Sequence, residues 1–142
     1  TYNRLFSGDK KGKLVLKGVA SHYDTEQAIR LGLDGIIVSN HGGRQLDAGE
    51  SSIKPLKTIA EKYGNQIEVM MDSGIRSGVD VARSLASGAK FTFMGRSFMY
   101  GVSALGKNGG NHTISLLKTE LQQVMEQICC ERVEDFPNHL LK

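Results

Sequence analysis

Residues 35–47 read Gly35-Ile36-Ile37-Val38-Ser39-Asn40-His41-Gly42-Gly43-Arg44-Gln45-Leu46-Asp47. The opening apolar run is the pattern of a buried strand, and a polar loop follows it at once. In that loop a base, His41, and a fixed cation, Arg44, stand three apart with two glycines between them. An imidazole titrates near neutrality and can accept a proton. A guanidinium grips a carboxylate through a two-pronged fork that lysine cannot reproduce. Gly42 and Gly43 carry no Cβ, so the backbone can turn sharply and come close to a ligand. This layout suits a small carboxylate that must lose a proton. A lone His-x-x-Arg is common in polar loops and says little. The nine residues from Ser39 to Asp47, in this order behind a strand, are far more specific.

Outward from this stretch the chain repeats strand, loop and helix. Leu14-Val15-Leu16 is a short strand ending at Lys17-Gly18. Asp24-Thr25-Glu26-Gln27 has the form of a capping box, with Asp24 as N-cap and Gln27 reaching back, and Gly32 closes the helix it opens. The second strand runs from Gly35 to Ser39. A helix over residues 53–63 carries Ile53, Leu56, Ile59 and Ala60 on one face and stops at Gly64. The third strand, 67–71, ends at Asp72; a helix over 79–86 follows, closed by Gly88. The fourth strand, 91–94, ends at Gly95-Arg96. A segment from Ser97 to Leu105, a Gly/Asn-rich break over 106–111 and a last helix over 113–128 complete the pattern, with Phe136-Pro137 marking the tail. Apolar strands alternating with helices imply an α/β fold of parallel strands. Four such units make half of an eight-unit barrel, which needs about 250 residues. Residues 1–142 are read as one domain, with residues 112–142 as its C-terminal helix and tail.

Composition sets the broad class. Of 142 residues, 39% are hydrophobic and 23% charged, as in an ordinary globular domain, and the net charge of +3 is too small to argue for nucleic acid. Lys10, Lys11 and Lys13 form a basic cluster without interleaved aromatics, read as a solvated loop. Cys129 and Cys130 are adjacent, so they offer neither a disulfide framework nor a spaced metal site, and free thiols in a reducing compartment are expected. No metal is indicated. No apolar run approaches the roughly 20 residues that span a bilayer. The start, Thr1-Tyr2-Asn3-Arg4, lacks the apolar stretch of a signal peptide and has no initiator Met, as expected of a processed chain or a fragment. The expected location is the cytoplasm, with attachment to the inner face of a membrane left open.

Every chemically suggestive residue falls at the carboxyl end of a strand, where α/β barrels build their sites. Lys17 ends the first strand; Ser39, His41 and Arg44 follow the second; Asp72-Ser73-Gly74-Ile75-Arg76 follow the third; Gly95 and Arg96 follow the fourth. The last two units have the makings of a phosphate site: glycine-freed backbone N–H groups and two guanidinium groups on adjacent strands. His22 and His112 are read as capping or solvent residues at helix starts, and Met70 and Met71 as core filling.

The stretch Ser39–Asp47, with Leu14–Gly18, Asp72–Arg76 and Gly95-Arg96, resembles the signatures of the FMN-dependent α-hydroxy-acid oxidising family, which includes glycolate oxidase and the flavin L-lactate dehydrogenases. The likeness covers residues 13–136 and implies strands five to eight of a TIM (β/α)8 barrel, its C-terminal half. It implies FMN as cofactor, with Lys17 at the flavin N1/O2 edge, where a positive charge stabilises the anionic reduced ring, and Ser39 on the isoalloxazine. Asp72, Ser73, Gly74, Ile75, Arg76, Gly95 and Arg96 would hold the ribityl chain and phosphate. His41 would be the catalytic base and Arg44 the substrate-carboxylate ligand, in the oxidation of an L-2-hydroxy acid, L-lactate being the expected one. Many members have Asp-Gly-Gly-x-Arg where this chain has Asp72-Ser73-Gly74-Ile75-Arg76, and the serine form leans toward the bacterial respiratory L-lactate dehydrogenases.

The same resemblance assigns several parts to a first half that has no counterpart here: a tyrosine and a second arginine near the substrate, and an aspartate that orients the histidine. Without that aspartate His41 has no fixed tautomer. The isolated chain is therefore expected to be inactive or very weak. With two open sheet edges and an uncovered layer of core side chains, it is expected to self-associate or to pair with the missing half. The other reading is a non-catalytic half-barrel that binds FMN or another phosphorylated ligand through the last two loops.

Overall fold

The computed structural model describes residues 12–139. Thr1–Arg4, Lys10, Lys11 and the end of the tail lie outside the described residues. Four strands, β1 (Val15–Val19), β2 (Gly35–Val38), β3 (Glu68–Met71) and β4 (Phe91–Thr92), form one parallel sheet in the order β1-β2-β3-β4. Between and after them come α1 (His22–Arg30), α2 (Ile53–Tyr63), α3 (Gly78–Ala86), α4 (Arg96–Leu105) and α5 (Gly109–Gln127). Crossovers between parallel strands are right-handed as a rule, so an order in which sequence neighbours are also sheet neighbours puts the helices on one side of the sheet. That is the connectivity of a barrel segment rather than of a doubly wound sheet, whose strand order reverses.

The two faces of the sheet differ accordingly. Ile36, Val38, Val69 and Met71 are at most 4% exposed and pack in one core with Val19, Ala28, Leu56, Ile59 and Tyr63. On the opposite face lies the in-register row Lys17, Ile37, Met70 and Phe91, none of them buried, and Phe91 and Phe93 stand 57% and 41% exposed. Their rings lean on each other at 5.0 Å. A second small core joins Ala82, Cys130 and Phe136, which brings the tail, a 3-10 turn over Val133–His139, against α3.

Several boundaries differ from the sequence expectation, each for a local reason. Lys17 lies inside β1, not at its end. The strand continues past it because Gly18, at φ +92, absorbs a register slip between Lys17 and Val19. The bulge keeps Lys17 on the open face while returning Val19 to the core. α1 starts three residues earlier than the Asp24 capping box implied. Ser21 is the N-cap, its Oγ accepting from Asp24 N at 3.1 Å and donating to Asp24 Oδ2 at 2.7 Å. Two overlapping cap signals compete there, and the earlier adds a turn that buries Thr25 on the core side. β2, β3 and β4 are shorter than their apolar runs: Ser39 and Ile67 fall outside, and Phe93 and Met94 belong to the loop after β4.

The expected break over 106–111 is only the turn Gly106–Asn108, and α5 begins at Gly109. Gly101 of α4 and Gly109 touch backbone to backbone, and a Cβ on either would collide with the other. These glycines are a helix-crossing contact, not a linker. His112 is thus the fourth residue of α5, not its start, and His22 is the first residue of α1 rather than preceding it. Gly32, at φ +69, and Gly88, at φ +99, do close their helices in the left-handed conformation. Both cysteines are free, Cys129 exposed and Cys130 buried. No described helix is long and apolar enough to cross a membrane. Among the described residues no three His, Cys, Asp or Glu side chains gather as a metal site.

Candidate functional site

A cleft of about 320 Å³ opens at the carboxyl end of the sheet. Its walls include Lys17 from β1, His41 and Arg44 from the loop after β2, Asp72 to Arg76 from the loop after β3, and Gly95 and Arg96 from the start of α4. Ten of the eleven residues singled out from the sequence thus meet in one place. The eleventh, Ser39, lies just beneath, 3% exposed. Phe93, Met94 and Met99 supply apolar wall that the sequence reading did not assign.

Beneath the cleft the polar groups are knitted together. Lys17 Nζ sits 2.8 Å from Asp72 Oδ2 and donates to Ser39 Oγ at 3.1 Å. Ser39 Oγ also accepts from the His41 N–H at 3.1 Å. Burial pushes the Asp72 carboxyl upward. Hydrogen bonds from Lys17, Ser39 and Ser73, with the lysine charge, outweigh that push and hold it below the ordinary aspartate value. Asp72 is therefore an anion, and Lys17 keeps its own side chain 45% exposed toward the cleft.

The His41 turn owes its shape to three successive left-handed residues, His41 (φ 58), Gly42 (φ 69) and Gly43 (φ 73). Only glycine adopts this conformation without cost, so the pair of glycines is what the turn needs. A Cβ on Gly42 would also press on the Arg96 guanidinium, 2.8 Å from Nη2, and Arg96 Nη2 donates to the Gly42 carbonyl at 3.0 Å. Asn40 pins the start of the loop. Its N–H donates to Ser52 Oγ at 2.9 Å, its Nδ2 to Glu50 O at 3.2 Å, and its Oδ1 accepts from Gly42 N at 3.0 Å. The sequence reading missed Asn40, although an asparagine two residues ahead of a glycine turn is an Asx-turn signal.

Two helices start at this rim, and they are finished differently. α3 carries a full capping box: Ser77 Oγ accepts from Asp80 N at 3.2 Å, and Asp80 Oδ2 accepts from Arg76 N and Ser77 N, both at 3.1 Å. Glu120 of α5 adds Oε2 as acceptor for Gly78 N at 2.7 Å. α4 has Gly95 as its N-cap and no capping side chain. The positive end of its dipole lies at the cleft with no capping carboxylate among the described residues. Arg44, Arg76 and Arg96 make no ion pair with any described residue. Four cationic side chains, Lys17, Arg44, Arg76 and Arg96, thus line the cleft against one carboxylate, Asp72. Such a surplus fits a ligand with more than one negative charge.

The sequence model of the FMN-dependent dehydrogenases matches residues 5–142 of this chain. The chain belongs to that family. L-lactate dehydrogenase of Bartonella tribocorum is 42% identical over 129 residues, 85% of this chain and 34% of the relative. L-lactate dehydrogenase of Alcaligenes faecalis is 41% identical over 131 residues, 92% of this chain and 35% of its own. Among solved structures, mandelate oxidase with 3,3-difluoro-2-hydroxy-3-phenylpropionic acid superposes with a TM-score of 0.86 at 38% identity, over 90% of this chain and 39% of that one. A mandelate oxidase mutant carrying the monooxide FMN adduct gives a TM-score of 0.84 over 89% of this chain. The chain spans 34–40% of the length of these relatives. FMN is the family's cofactor.

Proposed function

We propose that this chain is the FMN-holding and proton-accepting half of an L-2-hydroxy-acid dehydrogenase or oxidase, strands five to eight of its barrel, with an L-lactate-type substrate. The observation that carries the reading is the cationic cleft: a helix N-terminus with no capping side chain, flanked by two arginines without ion-pair partners among the described residues, beside a turn that presents His41 and Arg44. The residues present fit FMN. Gly74 and Gly95 leave open space where a side chain would stand. Arg76, Arg96 and the first turn of α4 suit a phosphate dianion, Asp72 and Ser73 suit ribityl hydroxyls, and Ser39 and Lys17 suit the polar edge of the ring.

FMN when bound accepts the two electrons that leave the substrate. The chain's residues do the rest. Arg44 fixes the substrate carboxylate and so orients the carbinol carbon. Neutral His41 takes a proton at an imidazole nitrogen, whether from the hydroxyl or from Cα, and the same residues serve either route. Lys17 supplies positive charge where negative charge accumulates. The exposed sheet face is where the chain would pair, with the complementary half of the barrel or with a second copy. We place the whole protein in the cytoplasm or at the inner face of a membrane.

A second reading, binding without turnover, is favoured by one observation: no described carboxylate accepts a hydrogen bond from the His41 ring. Anaerobic addition of L-lactate to the FMN-loaded protein separates the two. Loss of the oxidised-flavin absorbance supports the enzyme in the full-length protein. Unchanged absorbance there, with FMN bound, would replace it with the binding module. This chain alone is expected to bind FMN and remain unbleached.

A further inference from the structure

Ser73 stands at φ +77, a left-handed conformation that a serine adopts only at a cost. Such a conformation persists when the surroundings over-determine it, and here the surroundings are specific. The Ser73 hydroxyl donates to Asp72 Oδ1 at 2.8 Å and accepts from the Gly42 N–H at 3.0 Å, with Ser39 Oγ 3.5 Å away. Its one proton and one of its two acceptor sites are used. Gly42 follows His41 directly, and its peptide is held at both ends: the N–H by Ser73 from the loop after β3, the carbonyl by Arg96 from the start of α4. A glycine at position 73 would relieve the strain and lose the link.

We propose that Ser73 is a positioning residue: its hydroxyl joins the Gly42 amide to the Asp72 carboxylate and so holds the turn that carries His41. The role in turnover rests on the reading of His41 as the base; the role in holding the turn does not. The cofactor-side loop and the base-side loop thereby move as one unit. A ligand that orders Asp72 and Arg96 also orders the backbone beneath His41.

Hydrogen exchange of the Gly42 amide in the full-length protein, followed by NMR, tests the link with no ligand present. Ser73→Ala is expected to speed exchange at Gly42 by about tenfold while amides of α2 keep their protection. Asn40 Oδ1 is a second acceptor for the same N–H, so Asn40→Ala combined with Ser73→Ala should speed it further. Ser73→Gly should match Ser73→Ala at Gly42 while melting no lower, because it removes the strained Cβ as well as the hydroxyl. Exchange at Gly42 within about twofold of the parent in both single variants overturns the proposal. The second readout is turnover: both variants should lower kcat for L-lactate about tenfold when measured at saturating FMN. Unchanged kcat overturns the positioning role. If the parent protein oxidises no 2-hydroxy acid, it is the functional reading that falls, and the Gly42 amide still decides what Ser73 holds.

Discussion

The starts of α3 and α4 lie side by side at the same end of the sheet, and the chain treats them in opposite ways. At α3 the free N–H groups are closed by Ser77, Asp80 and, from 42 residues away, Glu120. At α4 the N-cap is a glycine, and Arg76 and Arg96 in the cleft beside it make no ion pair with any described residue. Two carboxylates at one helix start and none at the next mark where an external anion fits. Capping is worth about 1 kcal/mol per helix, so a bare, cation-flanked start gives up stability for binding. Burial of Asp72 against Lys17 sharpens the contrast, since the one lysine of the cleft is balanced while the arginines are not.

The comparison can be broken most severely at Arg96. Arg96→Ala should weaken FMN binding by about 10- to 100-fold, the scale of a charge-assisted hydrogen bond to phosphate. Riboflavin, which has no phosphate, should lose far less. Fluorescence titration with the two ligands measures both.

Writing α3's solution onto α4 is the next test. Gly95 has φ −119 and open space where a Cβ would stand, so Gly95→Asp is sterically permitted. The new carboxylate should cap the helix, leave the melting temperature level or slightly higher, and cost about tenfold in FMN affinity. Undiminished FMN affinity would remove α4 from the phosphate site.

The converse change belongs at α3. Asp80→Ala removes the acceptor for Arg76 N and Ser77 N and should cost about 1 kcal/mol in denaturant unfolding. FMN affinity should stay within about twofold, because that helix start is not where the anion sits. A loss of affinity larger than the loss of stability would erase the distinction between the two helices.

The smallest expected effect is in acid. The folded-state pKa of Asp72 lies below its ordinary value of 3.8, so its contribution to stability is fully present above that pH and is lost as pH falls through the folded value. Asp72→Asn should therefore narrow the stability difference from the parent only below about pH 4. Acid unfolding curves that stay parallel through that range would contradict the Lys17–Asp72 pairing.

How far the sequence led depends on the kind of signal. Apolar runs located every strand, and the helix over Ile53–Tyr63 fell where its 3.6-residue spacing put it. Runs such as Phe93-Met94 misled because residues lining a cleft are as apolar as residues in a strand. The Gly-Asn stretch misled because close helix crossing and flexible linkage use the same residue. Within the site the residue types were legible, since glycines, arginines and a histidine at strand ends have few other uses. Their partners were not. Nothing local announces that Gly18 bulges, that Glu120 reaches Gly78, or that Ser73 takes a left-handed turn to meet Gly42, because each depends on contacts 31 or 42 residues apart or on a backbone angle.

The most direct test of the central claim is the ratio of FMN to riboflavin affinity, measured by fluorescence titration at fixed ionic strength. If the phosphate is held at the start of α4 by Arg76 and Arg96, FMN should bind about 100-fold or more tightly than riboflavin. Equal affinities, or binding of neither ligand, would contradict the assignment of this cleft as the FMN phosphate site.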